Sequence, residues 1–161
     1  MKSKDELLKE YRDNGIHKRV LLILFAMLSF CSCSIDLETS DNGDLDGYWH
    51  MQSVDSLENG NRLDYSDNIM FWAVQVRLIE VRDRSDVLGA YLLQFNHIGD
   101  SLFLSNPRKN DKNTGDPVVE DVDKLRPFGI NELGEHFKIE QLTSSKMVLK
   151  SKTLRISFKK F

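Results

Sequence analysis

Trp72-Ala73-Val74-Gln75-Val76-Arg77-Leu78-Ile79-Glu80-Val81-Arg82 places an apolar side chain at every second position. Trp72, Val74, Val76 and Leu78 fall on one face of an extended chain, with Ala73, Gln75 and Arg77 on the other. A period of two is the mark of a strand with one buried face. At Leu78-Ile79 the phase flips, and Ile79 and Val81 become apolar against Glu80 and Arg82. A β-bulge re-aims a strand in this way, and barrels need such bends. The stretch therefore predicts a strand that curves around a core.

The same alternation recurs on both sides. Trp49, Met51 and Ser53 share a face, followed by a turn at Glu58-Asn59-Gly60-Asn61. Tyr91, Leu93 and Phe95 form another inward set, and Gly99-Asp100 turns the chain into Leu102–Leu104. Near the C-terminus Phe137 and Ile139, then Met147 and Leu149, then Leu154, Ile156 and Phe158 make three short strands. Thr143-Ser144-Ser145 and Ser151-Lys152 separate them. Close-spaced strands with tight turns predict an all-β antiparallel meander of about eight strands closed into a small barrel. One segment breaks the pattern. Asn106–Pro117 reads as a polar loop, and Asp116-Pro117 opens a predicted short helix through Val118 or Val119, Val122 and Leu125, ended by Pro127 and Gly129.

The N-terminal quarter has a different character. Lys18 and Arg19 precede a run from Val20 to Ser32 that is almost wholly apolar and ends at Cys33. Three readings compete: a membrane-spanning helix, a buried core helix and a cleaved export signal. Crossing the hydrocarbon takes about 20 apolar residues, more than this run holds. A core helix leaves the basic flank and the Cys-Ser-Cys end unexplained. A basic flank, a short apolar core and a small residue before the cut describe a signal peptide. Leu28-Ser29-Phe30-Cys31-Ser32-Cys33 resembles a bacterial lipobox, in which the last Cys is lipidated. Cys33 suits that role better than Cys31, because small Ser32 precedes it where bulky Phe30 precedes Cys31. The expected division is residues 1–32 as a signal, with an overlong start or a misplaced start codon, 33–44 as lipidated Cys33 and tether, and 45–161 as the barrel. Ser34–Asp46 carries five acids and no Lys or Arg, so it reads as a flexible spacer.

Composition narrows the chemistry. Both cysteines lie in the leader, which leaves the domain without disulfide or thiol chemistry. The formal net charge is −3, which gives no footprint for nucleic acid. Lys146, Lys150, Lys152, Arg155, Lys159 and Lys160 crowd the last hairpin. They read either as a solvated strand face or as a patch for anionic headgroups or glycans. His50, His97 and His136 lack metal-ligand spacing. No G-x-S-x-G elbow or glycine-rich phosphate loop is present. Asp111–Asp116 only faintly matches a calcium loop, since the glycine is one place early and Val122 stands where the bidentate Glu belongs. Glu120-Asp121 and the Glu132/Glu135 pair read as solvated surface, and His97 reads as a polar residue at a strand end. No enzyme, metal or cofactor is expected.

Gly47-Tyr48-Trp49 opens the first strand just after the tether. Gly-x-Trp at this place resembles the signature of lipocalins. Leu125-Arg126-Pro127-Phe128-Gly129-Ile130-Asn131 and the run from Phe137 to Leu149 resemble small lipocalin-like lipoproteins of Bacteroides-type bacteria. The resemblance covers Leu45–Phe161. It implies a barrel in which Trp49 closes one end and an Arg of the last strand packs across it, a place that falls to Arg155. It also implies lipid anchoring in the outer membrane, with function left open. If a pocket exists, Trp72, Val76, Tyr91, Leu93, Phe95, Phe137 and Ile139 are its expected lining. Two functions follow from these readings. One is a membrane-anchored module binding a small apolar ligand. The other is a non-catalytic interaction lipoprotein with a filled barrel that serves an envelope protein partner.

Overall fold

The structure is a computed structural model and describes residues 4–5 and 40–161. Val20–Ser32, Cys31, Cys33 and the spacer up to residue 39 lie outside the described residues. From Gly43 onward the chain runs through a 3-10 turn (Gly43–Leu45) and nine strands: β1 Gly47–Ser56, β2 Arg62–Asp64, β3 Met70–Gln75, β4 Leu78–Asp83, β5 Ala90–Ile98, β6 Ser101–Lys109, β7 His136–Leu142, β8 Lys146–Lys150 and β9 Leu154–Lys160. All pairings are antiparallel, and β1 pairs with β9 to close the sheet on itself. Eight strands form the closed barrel. Short β2 continues the edge of β1 above β3, pairing Ser53 with Asp64 and Asp55 with Arg62.

Antiparallel connection sorts the loops between two ends. The base holds residues 40–46, the β3–β4, β5–β6 and β7–β8 turns, and the C-terminus. The far end holds residues 57–69, 84–89, 110–135 and 151–153.

The phase flip in the central stretch has a different cause from a bulge. Val76-Arg77 is a two-residue hairpin turn, with Gln75 opposite Leu78, Val74 opposite Ile79 and Trp72 opposite Val81. Directly opposed residues share a face, so Gln75 and Leu78 face solvent and the apolar series resumes inward at Ile79. Val76 therefore leaves the inward set. The barrel takes its bends elsewhere, at register shifts between Met51 and Ser53, Leu92 and Gln94, and Ile139 and Gln141. At the shift opposite β5, Asn106 has φ +51° beside Pro107. A residue without an N–H is tolerated at such a bulge, so β6 runs on to Lys109 and the expected loop starts only after it.

The expected helix is also replaced. Val118 pairs with Arg108, and Val119 N–H donates to the Pro107 carbonyl at 2.9 Å. The strand edge thus takes the backbone groups that a helix would have used. Asp116 accepts from Asp111 N–H instead of capping a helix. Two 3-10 turns follow, Val122–Lys124 and Arg126–Phe128, the first capped by the Asp121 carboxylate.

One apolar cluster fills the barrel. Trp49, Met51, Trp72, Ile79, Leu93, Leu102, Phe137, Leu149 and Ile156 are fully buried in it. Trp72 meets Phe137 and Phe158 with ring centroids 5.8 and 5.1 Å apart. Each fully buried aliphatic or aromatic side chain contributes about 1.5–3 kcal/mol, and this domain has no disulfide to share the task.

Candidate functional site

The interior is the first place to look, because barrels of this size either hold one small ligand or fill with their own side chains. Trp72, Leu93 and Phe137 are fully buried, and Tyr91 is nearly so. Phe95 and Ile139 are partly buried and pack against the same cluster. Six of the seven expected lining residues are therefore brought together, as packing. Val76 stands apart in its turn. Among the described residues the buried Trp72 indole N–H has no hydrogen-bond partner.

The base is closed by the segment expected to be loose tether. Leu45 is fully buried, and its carbonyl accepts from Trp49 Nε1–H at 2.8 Å. Asn42 Nδ2–H donates to the Val76 carbonyl at 3.0 Å, and Val76 N–H donates to Ser40 Oγ at 2.6 Å. Val76 has φ +54°, a conformation that β-branched residues avoid. Both of its backbone polar groups are thus held by residues 40–42. Asp46 gathers the segment, accepting from Asn42 N–H, Asn42 Nδ2–H and the Ser40 hydroxyl. Burial pushes the Asp46 carboxyl up, but these hydrogen bonds outweigh it and hold the group below the ordinary value of 3.8.

Lys160, not Arg155, packs across Trp49. Its Nζ lies 4.8 Å from the indole centroid and donates to the Asp44 carbonyl at 3.0 Å. Trp49 and Lys160 are paired residues across the β1–β9 seam, whereas Arg155 pairs with Asp55 toward the other end. Strand parity decides the matter. Ile156 and Phe158 point inward, so Arg155 points out. There it makes a two-pronged contact with Glu140, at 2.7 and 3.1 Å. Gly47 has a steric reason to be glycine here: a Cβ on it would stand 2.5 Å from Lys160 Cε, and its φ is +128°. The Gly-x-Trp pattern thus makes room for the lysine stem that crosses the indole.

The far end is closed by the insertion between β6 and β7. Val119, Leu125, Phe128 and Ile130 belong to the central cluster, and Phe128 packs on Tyr91 at 5.8 Å between centroids. Gly129, at φ +80°, passes so close to Ile156 that a Cβ would stand 2.4 Å from its Cδ1. Glu135 is buried rather than solvated, and its Oε2 accepts from Asn131 and Glu132 N–H. Asn131 Nδ2–H donates to Thr153 Oγ1, tying the insertion to the β8–β9 turn. Asp83 organises the adjacent β4–β5 turn in the same way. Burial raises its carboxyl, and bonds from Ser85 and Leu88 lower it by more.

Among the open grooves of the exterior, two lie at opposite ends of the barrel and carry apolar or aromatic rims. One, about 820 Å³, lies at the base between Asp41, Asn42, Val76, Arg77, Phe95, Asn96 and His97. His97 bonds the Gly99 carbonyl at 3.0 Å, at the strand end where it was expected. The other groove, about 400 Å³, lies at the far end against Asn68, Ile69, Met70, Val87 and Leu88. The apolar members of that rim gave no sequence signal, because single exposed apolar residues in loops are ordinary. Asp111 spends its carboxylate on Asn113 N–H and Lys109, and Asp116 spends its own on Asp111 N–H, which accounts for the calcium-like spacing as turn chemistry.

The sequence model of the lipocalin-like domain matches residues 26–161. No curated protein matches significantly. Among solved structures, the chain is similar to a lipocalin-like protein from Bacteroides uniformis, with 20% identity and a TM-score of 0.56 over 74% of this chain and all of that one. It is also similar to an uncharacterized protein from Bacteroides eggerthii, with 15% identity and a TM-score of 0.51 over 72% of this chain and 98% of that one.

Proposed function

The chain belongs to the lipocalin-like domain family, and from that premise we propose that it is a membrane-anchored, non-catalytic interaction module of the cell envelope, held through lipidated Cys33. One observation carries this reading: the barrel interior is occupied by its own side chains, and both mouths are covered by segments of its own chain, residues 40–46 and the insertion that buries Leu125 and Phe128. A cup that is already full has its exterior left for recognition. The far-end rim supports this, since Val87 is 81% exposed and Ile69 and Leu88 stand beside it over the open groove. Exposed apolar groups framed by polar ones are the usual make-up of an interaction surface. Outer-membrane placement rests on the leader and on the resemblance to envelope lipoproteins.

The test has two arms. Purified from its own envelope, the protein is expected to give, in native mass spectrometry, the mass of the chain with its covalent acyl groups and no further noncovalent adduct, and its Cys33→Ser form no saturable uptake of a hydrophobic dye. Crosslinking in cells is expected to capture a protein neighbour through Val87. A stoichiometric noncovalent lipid-sized adduct would overturn the reading.

Such an adduct belongs to the second reading, a carrier of a small apolar ligand. One observation favours it: the unpartnered Trp72 N–H faces a packed interior, where an unmade hydrogen bond costs about 1–3 kcal/mol. A ligand acceptor entering after displacement of Leu125–Ile130 would satisfy it. Replacing Cys33 by Ser tests the anchor that both readings share, and release from membranes is the expected result.

A further inference from the structure

We propose that the base of the barrel is a membrane-contact surface, resting on a lipid bilayer with the far end pointing away. The proposal rests on the lipid anchor at Cys33 and adds which face meets the lipid.

The first argument is chain length. Ser40 and Asn42 are bonded to the β3–β4 turn, so the chain arrives at the base. Cys33 is seven residues before Ser40, which spans at most about 25 Å fully extended. Strands of nine or ten residues, tilted as barrels require, make a wall of about 25 Å. Seating the far end on the membrane would need the whole spacer pulled straight along that wall. Seating the base needs none of it.

The second argument is what the base exposes. Leu78, Ile98 and Phe161 are 45, 60 and 84% exposed and stand at or beside its turns. Arg77, Lys146, Lys159 and Lys160 stand at the same end. Apolar tips among basic side chains suit the boundary between headgroups and acyl chains. Of the acids there, Asp46 is engaged in the base closure and Asp100 lies 3.8 Å from Lys138, while Asp41 and Asp44 remain open and Asp36 and Glu38 precede them in the spacer, so the apolar tips rather than net charge favour the lipid.

The test uses the lipidated chain in phosphatidylcholine–phosphatidylglycerol vesicles that contain a lipid-borne quencher. A fluorophore is placed at Ile98→Cys in one protein and at Val87→Cys in another. Quenching at position 98 is expected to exceed that at position 87 by about three-fold or more, since interfacial groups sit some 5–10 Å into the headgroup boundary. Leu78→Cys against Leu63→Cys repeats the comparison on other loops, should either first variant fold poorly. Pelleting with vesicles, read on the same samples, separates the two claims. Protein that fails to pellet overturns the anchor and the seat together. Protein that pellets with equal quenching, or stronger quenching at 87 and 63, overturns the seat alone.

Discussion

The two ends of the barrel are closed by opposite means. At the base, closure joins the beginning and end of the domain: Leu45 and Trp49 from one side of the seam and Lys160 from the other. It is largely polar and works through named bonds to the Val76 turn. At the far end a single insertion folds inward and gives Val119, Leu125, Phe128 and Ile130 to the core. That closure is apolar and works by volume. A closure made of hydrogen bonds can be loosened by pH or a single substitution. A closure made of packed side chains fails only with the core itself.

Phe128→Ala strains this contrast most. If the insertion is core, the variant should lose about 3–5 kcal/mol of global stability in denaturant unfolding, as large-to-small core changes do. If it is a lid, midpoint and slope should barely move while amide exchange rises only in residues 118–130. Gly129→Ala should cost less, about 1–3 kcal/mol, from the positive φ and the overlap with Ile156. An unchanged thermal midpoint would place that turn outside the packed core.

Smaller effects are expected at the base. Lys160→Met removes the contact with the Trp49 face and the bond to the Asp44 carbonyl, for about 1–2 kcal/mol in all. Arg155→Met should leave stability almost unchanged, because its Glu140 contact is at the surface. Equal losses in the two variants would return the closing role to Arg155.

The smallest effect is on acid response. Asp46 is held below 3.8 in the fold, so it favours the folded base closure at any pH above that value. That contribution falls away as pH drops below 3.8 through its lowered folded value. Amide exchange at Val76, whose N–H donates to Ser40, should gain protection factors less steeply in Asp46→Asn than in the parent as acid is removed. Identical pH profiles would mean that Asp46 does not govern the closure.

Much of the wall was legible because period-two patterning survives in any single strand. The final three strands and their two turns fall where alternation placed them. What escaped was decided by distant parts of the chain. Val76-Arg77 contains none of the residues that announce a turn, and a β-branched residue at φ +54° runs against local preference. The turn is held by Ser40 and Asn42, more than thirty residues upstream, so no window around it carries the information. Asp116-Pro117 gave a sound helix opening, yet the edge of β6 took Val118 and Val119 first. The expectation of Arg155 at the indole fails for a different reason. The alternation of Leu154, Ile156 and Phe158 places Arg155 outside, and Lys160 shares their parity. Strand phase, rather than residue type, settles which cation reaches Trp49.

The β1–β9 seam also sets a timetable. Trp49 pairs with Lys160 and Ser56 with Leu154, partners roughly 100 residues apart, and such long-range pairing is slow to form. Until β9 (Leu154–Lys160) has left the ribosome, β1 has no partner on that side, and nothing completes the ring. A polypeptide built this way stays an open sheet for most of its synthesis, and becomes a barrel only when β9 arrives.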